Sequence, residues 1–311
     1  MDLSVIVPFY NEEESIKAMY DALKAVLEPL DLEYEILFVD DGSRDATFEI
    51  ASQLASNNPR LHVIKFRKNY GQTPAMAAGI DHANGKILIT MDGDLQNDPR
   101  DIPNFLDKIE EGYDIVVGWR HKRKDKLITR KIPSKVANWI IGKVTGVPIK
   151  DNGCSLKAYR AEIVKNVPLY SEMHRFIPAM LSLTGAKIAE IKVQHHARQF
   201  GVSKYGLSRI FKVLSDLLTI KTLVSFSSRS LILYGVLSFL SFGISFFAFA
   251  FAIIEFSILP GESLIVPLGL SMIFGALGFF LLLCGVLSEL IYKTGNLKIE
   301  KLSNLTTREM P

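Results

Sequence analysis

The sequence predicts an α/β domain with a mostly parallel sheet, followed by two membrane-spanning helices. Short apolar runs alternate with helix-like stretches through the N-terminal two thirds of the chain, which is typical of strands joined by crossover helices. Polar or acidic clusters follow several of these runs, at the edge of the sheet where ligands bind in such folds. Two uncharged stretches follow, Leu231–Ile254 and Ser263–Ser288, and each exceeds the roughly 20 residues that cross a bilayer.

Three strand–helix units are predicted in the N-terminal part of the chain. The predicted strands are Leu3–Tyr10, Glu35–Asp40 and Leu61–Phe66. The predicted helices run from Asn11 to about Leu30, from Ser43 to about Ala55, and over Thr73–Asn84. Asn11 followed by three glutamates resembles a capping-box start, and Gly85 is expected to cap the third helix.

The fourth predicted strand, Ile87–Met91, ends in Asp92-Gly93-Asp94-Leu95-Gln96. Two carboxylates this close repel each other unless a cation lies between them. Oxygen ligands suit Mg²⁺ or Mn²⁺, which proteins usually bind together with substrate phosphates. The alternative is an acidic turn that only ends a strand, because Asp-x-Asp is a common tripeptide.

The next predicted elements are a helix over Arg100–Glu111 and strands at Asp114–Gly118, before Tyr159 and at Lys187–Val193. His195 and His196 are adjacent, so they point in opposite directions on a strand and are expected to be ordinary polar residues. The basic residues between positions 121 and 135 indicate either a solvated surface or a mobile loop over an anionic substrate. No Gly-x-Gly-x-x-Gly follows the first strand and no Walker A motif is present, so metal and basic side chains are expected to bind any phosphate.

Basic residues cluster before the first uncharged stretch and after the second, whereas the loop Glu255–Glu262 has neither Lys nor Arg. The positive-inside rule therefore predicts a multi-pass protein of the inner (plasma) membrane with both ends cytoplasmic. The start of the chain has no basic n-region, so we expect no signal peptide. No Asp, Glu, Lys, Arg or His lies within either stretch, which counts against a transporter. Residues 207–226 suit a basic amphipathic helix at the membrane interface, or an ordinary helix packed on the N-terminal domain.

The motifs, taken together, resemble those of the family 2 glycosyltransferases of GT-A fold. The chain carries VIVPFYNEEE at 5–14, VDDGSRDAT at 39–47, NYGQ at 69–72, MDGDLQ at 91–96 and GWR at 118–120. The resemblance covers about residues 3–205. With the two C-terminal stretches, the chain is similar to polyprenyl-phosphate glycosyltransferases such as dolichol-phosphate mannosyltransferase and the bactoprenol glucosyltransferases. The Gln-x-x-Arg-Trp motif of processive synthases is missing, which indicates a single sugar transfer.

The resemblance implies roles for residues around the donor. Positions that hold the nucleoside are matched by Pro8, Tyr10 and Glu12. The acidic pair that contacts uracil or ribose is matched by Asp40 and Asp41. The set that binds Mg²⁺ or Mn²⁺ is matched by Asp92, Asp94 and Gln96, with Asp94 and Gln96 as direct ligands. Asp92 also belongs to the nucleotide site.

Basic residues are implied near the phosphates. Arg120 and Arg130 match residues near the donor diphosphate and the acceptor phosphate, and Ser203 and Lys204 match a segment close to the acceptor. Together with Asp92 and Asp94, the two arginines are the expected catalytic residues. A lipid monophosphate is largely ionised at neutral pH, since its second pKa is about 6, so no strong general base is required.

Four parts follow from this interpretation: a cytoplasmic GT-A domain at 1–205, a juxtamembrane amphipathic helix at 206–229, a two-helix transmembrane domain at 230–290 and a cytoplasmic tail at 291–311. The expected reaction is an inverting transfer of one hexose, glucose from UDP-glucose, to undecaprenyl or a similar polyprenyl phosphate. The expected partners are the UDP-hexose, the lipid and the bilayer, with no nucleic acid. A homo-oligomer is also open, because Gly243, Gly275 and Gly278 suit helix packing.

Two alternatives stay open at the level of sequence. The same reaction could use another sugar, such as mannose or 4-amino-arabinose, because the sugar depends on pocket contacts. The chain could also be a non-catalytic membrane scaffold with a degenerate transferase domain. The intact acidic motif at 92–96 and Arg120 argue against the scaffold.

Overall fold

The computed structural model describes residues 1–121, 141–143, 146–147, 149–165, 173–182, 185–197, 230–258 and 263–294. The described residues fall into two compact units, one up to residue 197 and one from residue 230. The predicted amphipathic helix at 207–226, the tail after 294 and almost all of the basic stretch lie outside the described residues. So do Arg130, Ser203 and Lys204.

A seven-stranded sheet forms the centre of the first unit, within the part of the chain that the structure describes. Its strands are β1 (Leu3–Phe9), β2 (Tyr34–Asp40), β3 (Leu61–Lys65), β4 (Ile87–Thr90), β5 (Ile115–Trp119), β6 (Lys157–Arg160) and β7 (Ile188–Lys192). They lie in the order β3-β2-β1-β4-β6-β5-β7. β6 runs antiparallel to both neighbours and the other pairs are parallel, so the predicted mostly parallel sheet is confirmed.

Helices cover both faces of this sheet. They are α1 (Ile16–Leu27), α2 (Thr47–Ser56), α3 (Gln72–His82), α4 (Ile102–Glu110), α5 (Ala161–Val164) and α6 (Ile177–Ser182), with 3₁₀ turns at Pro99–Asp101 and Met173–Arg175. One apolar cluster packs Leu23 of α1 and Phe105 of α4 against the sheet, and a second packs Met76 of α3 and Leu181 of α6 against the other face. Strands buried on both faces have continuous apolar sequences, which is why they could be located from sequence.

The start of α1 differs from the prediction. The helix begins at Ile16, and Asn11 has a φ of 49°, whereas an N-cap residue needs extended backbone. The Asn11 carboxamide oxygen instead accepts the Arg44 amide at 2.9 Å, and the Glu12 amide donates to the Thr47 hydroxyl at 2.8 Å. The capping box at Asn11 was therefore wrong, because residues 11–12 are held by the loop after β2.

Gly85 also differs from its predicted role as a helix cap. α3 ends at His82, and Ala83 after it is extended. Gly85 instead passes so close to β1 that a Cβ would lie 2.5 Å from the Ser4 amide nitrogen. This glycine is required by close backbone packing rather than by a positive φ.

A buried carboxylate joins β2 to the connection between α3 and β4. Glu35 accepts hydrogen bonds from the Ser4 hydroxyl and the Asn84 amide, both at 2.6 Å. Ser4 in turn accepts the Gly85 amide at 2.8 Å. Burial alone would raise the pKa of Glu35, but these hydrogen bonds lower it below its ordinary value. A lowered pKa means that the carboxylate stabilises the fold above its ordinary pKa and loses this contribution as the pH falls.

Substituting Glu35→Gln should therefore destabilise the protein by about 1–3 kcal/mol near pH 7. The charge that strengthens the hydrogen bonds is lost, and the new NH₂ group cannot accept the Asn84 side-chain N–H that Glu35 Oε2 accepts at 3.3 Å. The difference from wild type should shrink as the pH falls below the ordinary Glu pKa of 4.5. Thermal unfolding midpoints at pH 7 and pH 4 measure both effects. The matched control is Glu110→Gln, since Glu110 is exposed on α4. Equal midpoints for E35Q and wild type at pH 7 would contradict the assignment.

The second unit is a pair of helices, α7 (Ser230–Ile258) and α8 (Ile265–Thr294). Both are long and apolar enough to cross a membrane, with mean hydropathies of 2.2 and 2.5, which confirms two apolar C-terminal helices. Hydroxyls of Ser238, Ser241 and Ser245 on α7 donate to α8 carbonyls at 2.7 Å. Gly278 lies against the ring of Phe242, so small and polar residues join the two helices to each other.

Candidate active site

Three parallel strands, β1, β2 and β4, end at one edge of the sheet. The residues of the predicted donor site lie at the ends of these strands or just after them. Pro8 lies in β1 opposite Val39 of β2, and Tyr10 follows β1 and is half-buried. The Glu12 carboxylate accepts the Ser15 hydroxyl at 3.1 Å, so this side chain turns towards the start of α1.

Asp41 organises the loop that leads into α3. Its carboxylate accepts the amides of Tyr70 at 2.7 Å and Gly71 at 2.8 Å, and the Asn69 side chain at 2.8 Å. Burial raises the pKa of Asp41, and the neighbouring Asp40 adds to the increase. Both Asp41 oxygens thus bind the chain itself.

Asp40, one residue earlier, is buried but differently placed. Its Oδ1 accepts the Ser43 amide at 3.1 Å. Its Oδ2 has no hydrogen-bond donor among the described residues. A buried acceptor without a partner is costly, so this oxygen is suited to receive an N–H or O–H from a ligand.

Hydrogen bonds from two elements hold Asp92 at the end of β4. The Gln72 side chain, at the start of α3, donates to the Asp92 carboxylate. The Asp92 amide donates to the Ser155 hydroxyl at 3.2 Å, and Asn97 donates to the same hydroxyl at 2.7 Å. The turn that carries the two carboxylates is thereby fixed at both of its ends.

Gly93 allows this turn to pack against β1. A Cβ at position 93 would lie 2.3 Å from a ring carbon of Phe9. Asp94 behind it is buried, and one of its oxygens accepts the Gln96 amide at 3.2 Å. Leu95, between them, has a φ of 57°. Asp92, Asp94 and Gln96 are therefore brought together on one tight turn.

Arg120, at the end of β5, forms a bidentate ion pair with Asp151. The two N–O distances are 2.7 and 2.8 Å, and both side chains are nearly buried. Burial would lower the pKa of Arg120, but its hydrogen bonds with Asp151 and their mutual attraction raise it. Asp151 occupies two of the five guanidinium N–H donors, which leaves three that could meet an anion.

The segment after β7 is attached to the residues that follow Gln96. The His196 amide donates to the Gln96 carbonyl at 2.9 Å, and its ring pairs with Asp98 at 2.9 Å. Arg100 also binds Asp98, and these partners hold the pKa of that carboxyl far below its usual range. His195 forms an isolated bridge with Asn97. The two histidines thus lie at separate contacts, and among the described residues no group of three or more His, Cys, Asp or Glu side chains could hold a metal.

Sequence reasoning missed Ser155 and Asp151, which bind Asp92 and Arg120. It also missed Lys157 and His174, which bind each other nearby. Asp151 precedes Asn-Gly, a turn signal, but its partner Arg120 is distant in sequence. Lys157 stands among Leu156, Ala158 and Tyr159 in a buried strand, which is the one local signal that could have identified it.

Comparison with known protein families gives one matching model and several curated relatives. A family model described as glycosyl transferase family 2 matches residues 4–167. The dodecaprenyl-phosphate galacturonate synthase of Rhizobium johnstonii is 47% identical over 233 residues, which cover 74% of this chain and 69% of that protein. The undecaprenyl-phosphate 4-deoxy-4-formamido-L-arabinose transferase of Photorhabdus laumondii is 42% identical over 222 residues, 71% of this chain and 68% of that protein.

Solved structures share the fold at low sequence identity. Glucosyl-3-phosphoglycerate synthase from Mycobacterium tuberculosis, in complex with Mn²⁺ and UDP-glucose, has a TM-score of 0.55 at 16% identity, over 71% of this chain and 78% of that one. Mannosyl-3-phosphoglycerate synthase from Rubrobacter xylanophilus has a TM-score of 0.55 at 15% identity, over 71% and 74%. These likenesses confirm the GT-A fold.

The predicted assignment of this turn to a divalent cation is tested by Gly93→Ala, whose methyl group displaces the turn from Phe9. On that assignment, the variant should bind a Mn²⁺–nucleoside diphosphate complex about tenfold or more weakly, because groups that support metal ligands set the affinity of a site. Isothermal titration of UDP with Mn²⁺ measures it. The control is Gly269→Ala on α8, where an added Cβ meets no atom within 4 Å. Wild-type affinity in G93A would show that the close packing of the turn does not matter.

Proposed function

The chain belongs to glycosyl transferase family 2, and we propose that it transfers one sugar from a UDP-sugar to a polyprenyl phosphate, with inversion, at the cytoplasmic face of the inner membrane. Its curated relatives are polyprenyl-phosphate sugar transferases by name. The observation that carries the proposal is the turn of Asp92 and Asp94, fixed at the carboxyl edge of the sheet that also holds Asp40.

A nucleobase with a ring N–H, such as uracil, suits this edge. Asp40 offers a buried Oδ2 that no described residue donates to. The imide N–H of uracil is a donor for such an oxygen, whereas cytosine presents an unprotonated nitrogen at the same ring position and would be repelled. Pro8, Tyr10 and Glu12 stay the predicted contacts on the β1 side, and Asp41 supports the site through the 69–71 loop.

The residues at the acidic turn fit a divalent cation. Asp92, Asp94 and Gln96 supply carboxylate and amide oxygens, the donors that Mg²⁺ and Mn²⁺ prefer. Two carboxylates do not complete a coordination sphere, so phosphate oxygens of the donor are expected to share the site. When bound, the cation supplies Lewis-acid neutralisation of the leaving diphosphate. The Gln72 and Ser155 contacts keep the Asp92 end of the turn in place for this.

The remaining chemistry is positioning and electrostatic stabilisation. The acceptor monophosphate is already ionised near neutral pH, so its oxygen needs alignment with the anomeric carbon rather than a strong base. Arg120, fixed by Asp151, directs N–H donors towards the charge that develops on the diphosphate. Arg130, Ser203 and Lys204 are proposed to hold the acceptor phosphate.

The proposal also extends to the identity of the sugar that is transferred. Sequence analysis predicts glucose, with mannose or 4-amino-arabinose as alternatives. Relatives named for galacturonate and for 4-deoxy-4-formamido-L-arabinose support a modified sugar, so we place galacturonate first, on the strength of the 47% identity. The sugar would be set by pocket side chains and leaves the fold and the metal set unchanged.

The membrane arrangement follows from the acceptor. Its polyprenyl tail stays in the bilayer while its phosphate meets a nucleotide sugar made in the cytoplasm. Two helices could span the bilayer. Basic residues precede the first helix and follow the second, whereas the loop between them has neither Lys nor Arg. By the positive-inside rule, this pattern fits an active site on the cytoplasmic side.

A donor panel tests the function directly. Purified full-length protein is given undecaprenyl phosphate, Mn²⁺ and one radiolabelled donor at a time: UDP-galacturonate, UDP-glucose, UDP-4-deoxy-4-formamido-L-arabinose or GDP-mannose. Label should enter the lipid phase from one UDP-sugar, and EDTA should abolish the transfer. A folded protein that transfers from no donor and binds no UDP with Mn²⁺ would instead support the scaffold alternative.

Substituting Asp94→Asn should reduce transfer by about 100-fold or more, because a neutral amide of equal size cannot neutralise the cation. The same variant should bind UDP in the presence of Mn²⁺ much more weakly while its unfolding midpoint stays close to wild type. The matched control is Asp107→Asn on the exposed side of α4. Normal turnover in D94N would refute the metal assignment.

A further inference from the structure

Lys157 is a fully buried lysine that the proposed reaction does not yet use. It lies in β6 opposite Thr90, the last residue of the neighbouring strand β4. Asp92 follows Thr90 by two residues. Its ammonium donates to the carbonyls of Asn152 at 3.4 Å and His174 at 3.3 Å. Among the described residues, no carboxylate lies within ion-pair distance of it.

Its two partners connect Lys157 to both sides of the candidate site. Asn152 follows Asp151, the residue that holds Arg120. The ring of His174 pairs with the Thr73 hydroxyl at 2.6 Å, and Thr73 follows Gln72, which binds Asp92. One buried ammonium therefore joins the turn beside Arg120 to the start of the helix that holds Asp92.

This charge is unfavourable in the protein without ligands. Burial lowers the pKa of Lys157 to about 8, and the charge of Arg175 acts in the same direction. The charges of Asp151 and Asp92 oppose the decrease but do not overcome it. An apolar residue of similar volume avoids such a desolvation penalty, so stability alone does not explain a lysine at this position.

A bound donor changes the electrostatics around the ammonium. A nucleoside diphosphate brings negative charge to a turn that already holds two carboxylates, and one divalent cation does not neutralise all of it. A fixed positive charge behind Asp92 acts strongly there, because a buried site screens charge less than water does.

We propose that Lys157 is a positioning residue of the transferase: its buried ammonium holds the 152 and 174 carbonyls together behind Asp92 and stabilises the anionic donor–metal cluster. This inference rests on the proposed function. Lys157 acts through Asp92, Gln72 and Arg120 and has no contact with the reacting atoms. The buried charge lowers the stability of the protein without ligands and increases the affinity of the protein for the nucleotide sugar bound with its divalent cation.

Three substitutions separate charge from hydrogen bonding. Lys157→Met removes both, Lys157→Gln keeps an N–H donor without charge, and Lys157→Arg keeps both. K157M and K157Q should bind UDP with Mn²⁺ at least about tenfold more weakly, the lower range for residues that support a metal site. The KM for the donor should rise in parallel while the KM for undecaprenyl phosphate stays unchanged. K157R should stay within about threefold of wild type, and the unfolding midpoint of free K157M should equal or exceed that of wild type.

Several outcomes would overturn the inference. If K157Q binds UDP with Mn²⁺ as tightly as wild type, Lys157 acts only as a hydrogen-bond donor and its charge does not matter. If K157M does so, Lys157 has no role in donor binding. Equal increases in both KM values would indicate general damage. If no Lys157 variant folds, Thr73→Val tests the same series of contacts, from Lys157 through His174 to Thr73, at its other end. An unchanged KM for the donor in T73V would refute the inference. UDP–Mn²⁺ titration needs no transfer, so failure of wild type to transfer any sugar would refute the proposed function without deciding this inference.

Discussion

The attachment of Asp92 to Gln72 and Ser155 is the interaction on which the rest of the site depends. It joins three parts of the chain that are distant in sequence, namely the turn after β4, the start of α3 and the segment that leads into β6. These contacts hold Asp92 in place against the repulsion between its carboxylate and that of Asp94. The sheet supplies the setting, because parallel strands β1, β2 and β4 end at one edge and so bring Asp40, Asp41 and the acidic turn together.

Buried charge is the common feature of the residues around this turn. Arg120 is satisfied by Asp151 and Asp41 by the 69–71 loop. Lys157 is satisfied, among the described residues, only by two carbonyls. Ion pairs that are buried and hydrogen-bonded fix geometry more than they add stability. In the proposed function, a bound nucleotide would compensate Asp40 Oδ2 through a ring N–H and the Lys157 ammonium through the charge of its phosphates.

The fold class and most of the strands could be predicted from the sequence, because strands buried on both faces have continuous apolar sequences and acidic residues follow β2 and β4. Local signals failed where a distant contact decides the backbone. Asn11 has the composition of a helix cap, but the 43–47 loop holds it at a positive φ. Asp41 stays a predicted nucleoside contact, and its hydrogen bonds to the 69–71 loop are a distant contact that no local pattern shows. Asp151, Ser155 and His174 act through partners far away in sequence, so no local pattern identifies them.

The most direct test of this account is the position of Mn²⁺ in a crystal of the full-length protein grown with UDP and Mn²⁺, located by its anomalous scattering. The account predicts one peak in contact with Asp94 and Gln96 that also touches the diphosphate, with the uracil N–H on Asp40 Oδ2. A peak elsewhere, or a UDP bound away from this edge of the sheet, would contradict the assignment of the acidic turn as the metal and donor site.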